Sequence, residues 1–261
     1  MKNIKYLALA TTLVSGLGIG TQGVYAAEGG PYDSKVNIEF APSDEITPPG
    51  DPDNPDNPDG SGPVDPDQPG TEGPLSIDFA STFKFGKQNI TSQDATYFAE
   101  SQKFKDDSER PNYVQVTDNR GTESGWTLQV KQNGQLTSEN DHELTGAAIT
   151  VNNAAISTGS SSAKPSQVKS SFTLTPDEAV QVVGAQEGEG AGTYYYKFGD
   201  TEANNIDKSV ELFVPGSTTK YAETYATSLT WTLSDIPGND DSGNDDSGND
   251  DSGNDDSGNN E

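Results

Sequence analysis

Hydrophobic and polar positions alternate most strictly near the C-terminal end, over Tyr225-Ala-Thr-Ser-Leu-Thr-Trp-Thr-Leu-Ser234. Read with a period of two, Tyr225, Thr227, Leu229, Trp231 and Leu233 share one face. Ala226, Ser228, Thr230, Thr232 and Ser234 share the other. This is the pattern of a half-buried β-strand, because successive side chains of a strand point to opposite sides. A shorter echo, Gly125-Trp-Thr-Leu-Gln-Val130, sets Trp126, Leu128 and Val130 against Thr127 and Gln129. The only two tryptophans of the chain each sit in a Trp-Thr-Leu tripeptide.

The two motifs are read as strands Gly125–Lys131 and Ala222–Ser234, and the same period marks further strands at Leu75–Ala80, Tyr97–Phe104, Tyr113–Thr117, Ala147–Asn152, Val168–Thr175, Ala179–Gly184, Thr193–Phe198 and Val210–Val214. Turn residues separate them at Asp118-Asn-Arg-Gly121, Asn133-Gly134, Gly188-Glu-Gly-Ala-Gly192 and Pro215-Gly216. No stretch sustains a helical period. Many short strands between Leu75 and Pro237 predict an all-β domain, an antiparallel β-sandwich of Ig-like or related type.

The flanks read differently. Residues 1–26 have a basic start (Lys2, Lys5), an apolar run from Tyr6 to about Gly20 and small residues at Val24-Tyr-Ala26. That layout predicts a secretory signal peptide cleaved after Ala26 and an exported protein. A short N-terminal segment, 27–47, has one strand-like patch, Val36-Asn-Ile-Glu-Phe40. From Pro48 to Pro74 the chain is rich in proline and aspartate with almost nothing apolar, which predicts a disordered, extended polyproline-like linker. A calcium loop is excluded there, since aligning Gly60 with the loop glycine puts Pro55 at the first ligand position. The segment 238–261 repeats Gly-Asn-Asp-Asp-Ser four times without an apolar residue and is predicted disordered.

Charge narrows the partners. The net charge is −27, and residues 71–237 hold 22 acidic against 12 basic residues. Such a surface suits no nucleic acid, whose phosphates require a basic face. With Cys 0, the chain has no disulfide, thiolate metal site or thiol nucleophile. The single histidine, His142, lies in a charged loop with Asp141 and Glu143 as nominal partners, but no nucleophile elbow or metal-binding His pair accompanies it. Asp106-Asp107 falls in a salt-laced loop. Asn89-Ile-Thr91 matches a glycosylation acceptor without further support. No catalytic residue, metal ligand set or cofactor site is predicted, and an enzyme is not expected. Tyr194, Tyr196 and Phe198 are read as core and Tyr195 as an edge tyrosine. Both tryptophans are read as facing inward.

These residues resemble a known family. The distal Tyr225-x-x-x-Leu229-Thr230-Trp231-x-Leu233, the proximal Asp118-Asn-Arg-Gly-Thr-Glu-Ser-Gly-Trp-Thr-Leu-Gln-Val130 and the opening Gly73-Pro-Leu-Ser-Ile-Asp-Phe79 are similar to the WxL cell-surface domain of low-GC Gram-positive bacteria. So is the Asp-Pro-rich spacer before it. The resemblance implies a WxL-type β domain over 75–237 that binds peptidoglycan non-covalently at the cell wall. It marks Trp126, Leu128, Tyr225, Leu229, Thr230, Trp231 and Leu233 as the cell-wall-binding motif. It also implies companions: a membrane-anchored protein of the DUF916 type, other WxL proteins and, for some members, host extracellular matrix. A structural or adhesive subunit of a surface complex is therefore the alternative function. The Asp-Ser-Gly-Asn tail departs from the family pattern. No Leu-Pro-x-Thr-Gly signal is present, so retention is expected to be non-covalent. An acidic domain is repelled by anionic wall polymers. Lys84, Lys87, Lys103, Lys105, Arg110, Arg120 and Lys131, which fall early in the domain, are the candidates for a local basic patch.

Overall fold

The computed structural model describes residues 29–57, 61–64 and 68–237. The signal peptide and the Gly-Asn-Asp-Asp-Ser tail read from the sequence lie outside the described residues. Two units divide the chain, residues 1–39 and 40–261. Of the first, 29–39 has no regular secondary structure, and Val36 and Ile38 are exposed. The strand-like patch is thus unpaired.

Alternation becomes fourteen strands among the described residues of the second unit. In chain order they are β1 (Leu75–Ala80), β2 (Ala95–Phe98), β3 (Gln102–Lys103), β4 (Glu109–Arg110) and β5 (Asn112–Asp118). There follow β6 (Trp126–Ser138), β7 (Ala148–Val151), β8 (Ala154–Ser157), β9 (Gln167–Val168) and β10 (Phe172–Thr173). The last four are β11 (Ala179–Ala185), β12 (Gly192–Phe198), β13 (Val210–Val214) and β14 (Tyr225–Ser234). Every strand pairing is antiparallel. Three four-stranded sheets result, in the orders β1-β5-β12-β8, β10-β7-β13-β2 and β14-β6-β11-β9, with β3-β4 as a separate hairpin. The fold is all-β and sandwich-like, as predicted.

One apolar core joins the sheets. Val114, Val116, Tyr194, Tyr196 and Phe198 of the first meet Ile149, Val151, Val210 and Leu212 of the second and Trp126, Leu128 and Val130 of the third. Tyr194, Tyr196 and Phe198 are core residues, as their shared parity predicts.

Three details differ from the sequence reading. Asn133-Gly134 does not end a strand: β6 continues to Ser138, and the extra residues bulge where Ala226 and Ser228 of β14 pair with Thr137 and Asn133. The Thr227 hydroxyl fills the bulge by donating to the carbonyls of Asn133 and Gly134, each at 3.0 Å. Tyr195 is not an edge tyrosine but 4% exposed, in a small second cluster with Phe79, Phe104 and Tyr113. The reason is the third difference. Residues 48–57 of the expected spacer lie along the outer side of β5 and β12.

That strap is bound by groups the strands present. Gly50 N–H donates to Gln115 Oε1 (2.7 Å), Tyr113 Oη donates to Gly50 O (2.8 Å), and Gln115 Nε2 donates to Pro48 O (3.1 Å). Ser157 Oγ donates to Pro52 O at 2.6 Å. Asp51 pairs with Arg110 at 2.9 Å, and Asp53 with Lys197 at 2.9 Å. A Cβ on Gly50 would overlap the Tyr195 hydroxyl, so glycine is what lets the strap seat. Farther on, Val64 N–H donates to Lys103 O (2.9 Å) and Thr71 N–H to Ile77 O (2.8 Å). Pro52 is buried and Pro49 and Pro55 half-buried, and charge pairs and hydrogen bonds add to their docking. Residues 58–60 and 65–67 of the spacer lie outside the described residues.

Candidate functional site

The two tryptophan motifs are neighbouring strands. β14 pairs with β6 so that Leu233 faces Leu128, Trp231 faces Val130 and Thr230 faces Lys131. Trp126 is 1% exposed; its indole N–H donates to Gly190 O at 2.9 Å, and its ring meets Tyr194 edge-on at 6.1 Å. Gly190 has φ +83°, and a side chain there would run into that indole. Leu128 is fully buried. Trp126 and Leu128 therefore build the sheet and cannot touch a ligand in the folded domain. Trp231 is half-buried, its ring parallel to Phe198 at 6.3 Å, with Tyr225, Leu229 and Leu233 half-buried on the same side.

Thr230 points the opposite way. Ser228, Thr230 and Thr232 are exposed on the outer face of β14. Asn133 Nδ2 donates to Ser228 Oγ (2.9 Å) and to Thr230 Oγ1 (2.8 Å). Register continues this row across the sheet: Thr232 pairs with Gln129 and Gln129 with Gln181, whose amide donates to Gln167 Oε1 at 3.0 Å. The result is a ladder of hydroxyls and amides in which Lys131 is the one charge among the residues named.

The inner side of β14 borders a groove of about 1540 Å³. Its other wall is the 81–90 loop with Phe83, Phe85, Lys84 and Lys87, and Leu136, Ile149 and Leu212 are among its lining. At one end, His142 stacks on Tyr221 (3.7 Å between centroids, 15°), and its Nδ1 lies 2.9 Å from Glu223 Oε2. The sequence offers Asp141 and Glu143 for this histidine; the hairpin geometry delivers Glu223. Hydrogen bonds from Ser138, His142 and Asn140 hold the Glu223 carboxyl down at about 2. The Ser138, His142 and Asn140 side chains all bond the Glu223 carboxylate, so the group reads as a clasp between two loops.

The seven basic residues take different places. Arg110 is engaged by Asp51, and Arg120 by Asp118 (2.7 Å) and Gly125 O (2.7 Å). Lys84 and Lys103 line a cleft of about 250 Å³, and Lys84 and Lys87 line the larger groove. Lys105 lies in the β3–β4 turn, and Lys131 stands on the outer face of β6. Lys84 is thus brought together with Lys87 and Lys103, while the two arginines are already neutralised. Ser228, Thr232, Gln129, Asn133 and Gln181, which share the outer face with Thr230, are not singled out by the sequence reading, although the alternation that turns Trp231 inward puts Ser228 and Thr232 outward.

No group of His, Asp or Glu among the described residues is arranged to hold a metal ion. No curated protein and no solved structure is matched by this chain. The model of the WxL domain, described as surface cell wall-binding, matches residues 27–237, a span that takes in the strap as well as the sheets. By that match over most of its length, the chain belongs to the WxL family of surface cell wall-binding domains.

Proposed function

We propose that this protein is exported through its N-terminal signal and held non-covalently on peptidoglycan, with the outer face of β14, β6 and β11 as the contact. The observation that carries this is the near-neutral ladder of Ser228, Thr230, Thr232, Gln129, Asn133 and Gln181 on a chain of net charge −27. An acidic body is repelled by anionic wall polymers, so attraction must come from a face with little charge and many hydrogen-bond groups. Flat rows of hydroxyls and amides match the hydroxyls and acetamido groups of glycan strands. Of the motif residues, Thr230 would touch the wall; Trp126, Leu128, Trp231 and Leu233 would hold the sheet that presents it.

Sedimentation with purified sacculi tests this. Thr230→Glu/Thr232→Glu should keep the fold, seen as unchanged tryptophan fluorescence, and lose most of the bound fraction. Lys84→Gln/Lys87→Gln/Lys103→Gln reads out the basic-patch contribution separately. Undiminished binding by the Glu pair would remove this face from the contact. The reading as a subunit of a surface complex is favoured by one further feature, the open edge of β14.

A further inference from the structure

β14 is the outermost strand of its sheet, and its ten residues contain no charge and no proline. Among the described residues, its backbone hydrogen bonds run to β6 alone, so every second N–H and C=O along the other side is unpaired. Natural edge strands are guarded by charge, proline, bulges or a covering segment because a bare edge recruits further strands, and of these β14 has only the irregularity at Ala226/Ser228. Here the bare edge also borders the apolar groove that exposes Leu229 and Trp231.

The chain itself contains a strand without a sheet. Val36, Ile38 and Phe40 are 92%, 79% and 86% exposed, and they alternate with Asn37 and Glu39. Three large apolar residues left in water at a period of two are unusual in a folded chain and mark an interaction segment. Pro31 and Pro42 bound it. As a strand, Lys35–Ala41 would span roughly 23 Å, within the roughly 33 Å of β14. Charge agrees as well. Asp33, Glu39, Asp44 and Glu45 surround the segment against one Lys35, and the groove is lined by Lys84, Lys87 and Lys220 against Asp78 and Glu223, with Lys84 and Lys87 not ion-paired among the described residues.

We propose that Lys35–Ala41 of one molecule adds as a strand to β14 of a second copy, with Val36, Ile38 and Phe40 entering the groove. Main-chain hydrogen bonds would complete the sheet, and the alternate side chains would set the register. The two surfaces differ, so each copy offers one of each, and the contact either closes by reciprocal exchange or in a ring or repeats from copy to copy. Cell-surface molecules already held on the wall would be linked to one another without covalent chemistry.

The absence of native cysteine makes the test clean. Chains from Ala27 onward carrying Asn37→Cys are mixed with chains carrying Ser228→Cys, Thr230→Cys or Thr232→Cys and oxidised. A disulfide-linked heterodimer with at least one of the three is expected, and Ile38→Asp should abolish it. In sedimentation velocity the unmodified chain should grow with concentration, and Ile38→Asp should raise the dissociation constant by about tenfold or more. Ile38 is exposed, so far-ultraviolet and tryptophan spectra should not change. A chain that stays monomeric at all concentrations would overturn the proposal. So would oligomers indifferent to Ile38→Asp, or an Asn37→Cys/Ser228→Cys double variant that closes only within one chain. Wall binding is read separately by sacculus sedimentation, so loss of one property leaves the other measurable.

Discussion

In β5 the polar alternates Tyr113 and Gln115 bond the Pro48–Asn57 strap, Thr117 bonds Asp78 and Thr193, and all seven residues of the strand are buried. In β14 the polar alternates Ser228, Thr230 and Thr232 face solvent, and the strand has a partner on one side only. Both alternate in sequence, and the parity of each was legible. The difference is what lies on the polar side. On β5 it is a buried network: Asp78 accepts from Thr117 Oγ1 (2.6 Å), Gln115 Nε2 (2.9 Å) and Ser76 Oγ (2.7 Å), while Gln115 also holds the strap. On β14 the same kind of residue bonds only to a neighbour's amide. A polar row can therefore be structural or available, and its cover decides which.

The comparison is broken most severely through the core that both strands share. Trp126→Ala should cost about 3–5 kcal/mol, since it deletes a 1% exposed indole and leaves Gly190 O without its donor. Trp231→Ala, at a half-buried ring on the groove, should cost roughly half as much by the same reasoning. Urea denaturation of the two variants measures the ratio. Equal losses would mean that the groove is filled in solution.

The strap comes next. Gly50→Val cannot seat against Tyr195 and should release residues 48–57. The expected loss is about 1–3 kcal/mol, the cost of leaving buried donors and acceptors such as Gln115 unsatisfied. Hydrogen exchange at 48–57 should rise while β14 amides are unaffected. Uniform exchange changes across both sheets would show that the strap belongs to the main cooperative unit.

How much of this was readable follows from where the information sits. The strands, the inward face of Tyr194, Tyr196 and Phe198, and the inward tryptophans follow from period-two spacing within single segments. The strap was not legible, because Pro48–Asn57 has the composition of a free spacer. Its docking depends on Arg110, Lys197, Tyr113 and Gln115, which lie roughly 60 to 145 residues away in sequence. The Glu223–His142 contact failed to appear for the same reason: nearer carboxylates compete in sequence, and the hairpin selects a distant one. Likewise Arg110 and Arg120 looked free as a count of charges and are paired as geometry.

A smaller effect is expected in the pH dependence. Burial raises the Asp78 carboxyl above 3.8, overcoming the hydrogen bonds from Thr117, Ser76 and Gln115 that lower it. A raised folded value means that the native state holds the proton more tightly than the unfolded chain. Stability from this group is therefore present below about pH 3.8 and is lost as pH rises through the raised folded value. Glu223 has the opposite sign: lowered from 4.5 to about 2, it stabilises above 4.5 and loses that contribution as pH falls toward 2. Asp78→Asn should flatten the first trend, and Glu223→Gln the second, in midpoints of thermal unfolding measured from pH 2 to 7.

The smallest effect is the most discriminating. Ser228→Lys and Thr232→Lys, on the open row of β14, should each change stability by no more than about 0.5 kcal/mol, as exposed positions do. On β5, Gln115→Lys would instead bury a charge among Asp78, Gly50 and Pro48 and should destabilise by more than about 1 kcal/mol. If the β14 substitutions prove as costly as the one on β5, something covers that face in solution, and the row belongs to the fold and not to the wall. A concentration dependence of the cost would identify the cover as another copy, since a dilute chain would then tolerate the lysines and a concentrated one would not.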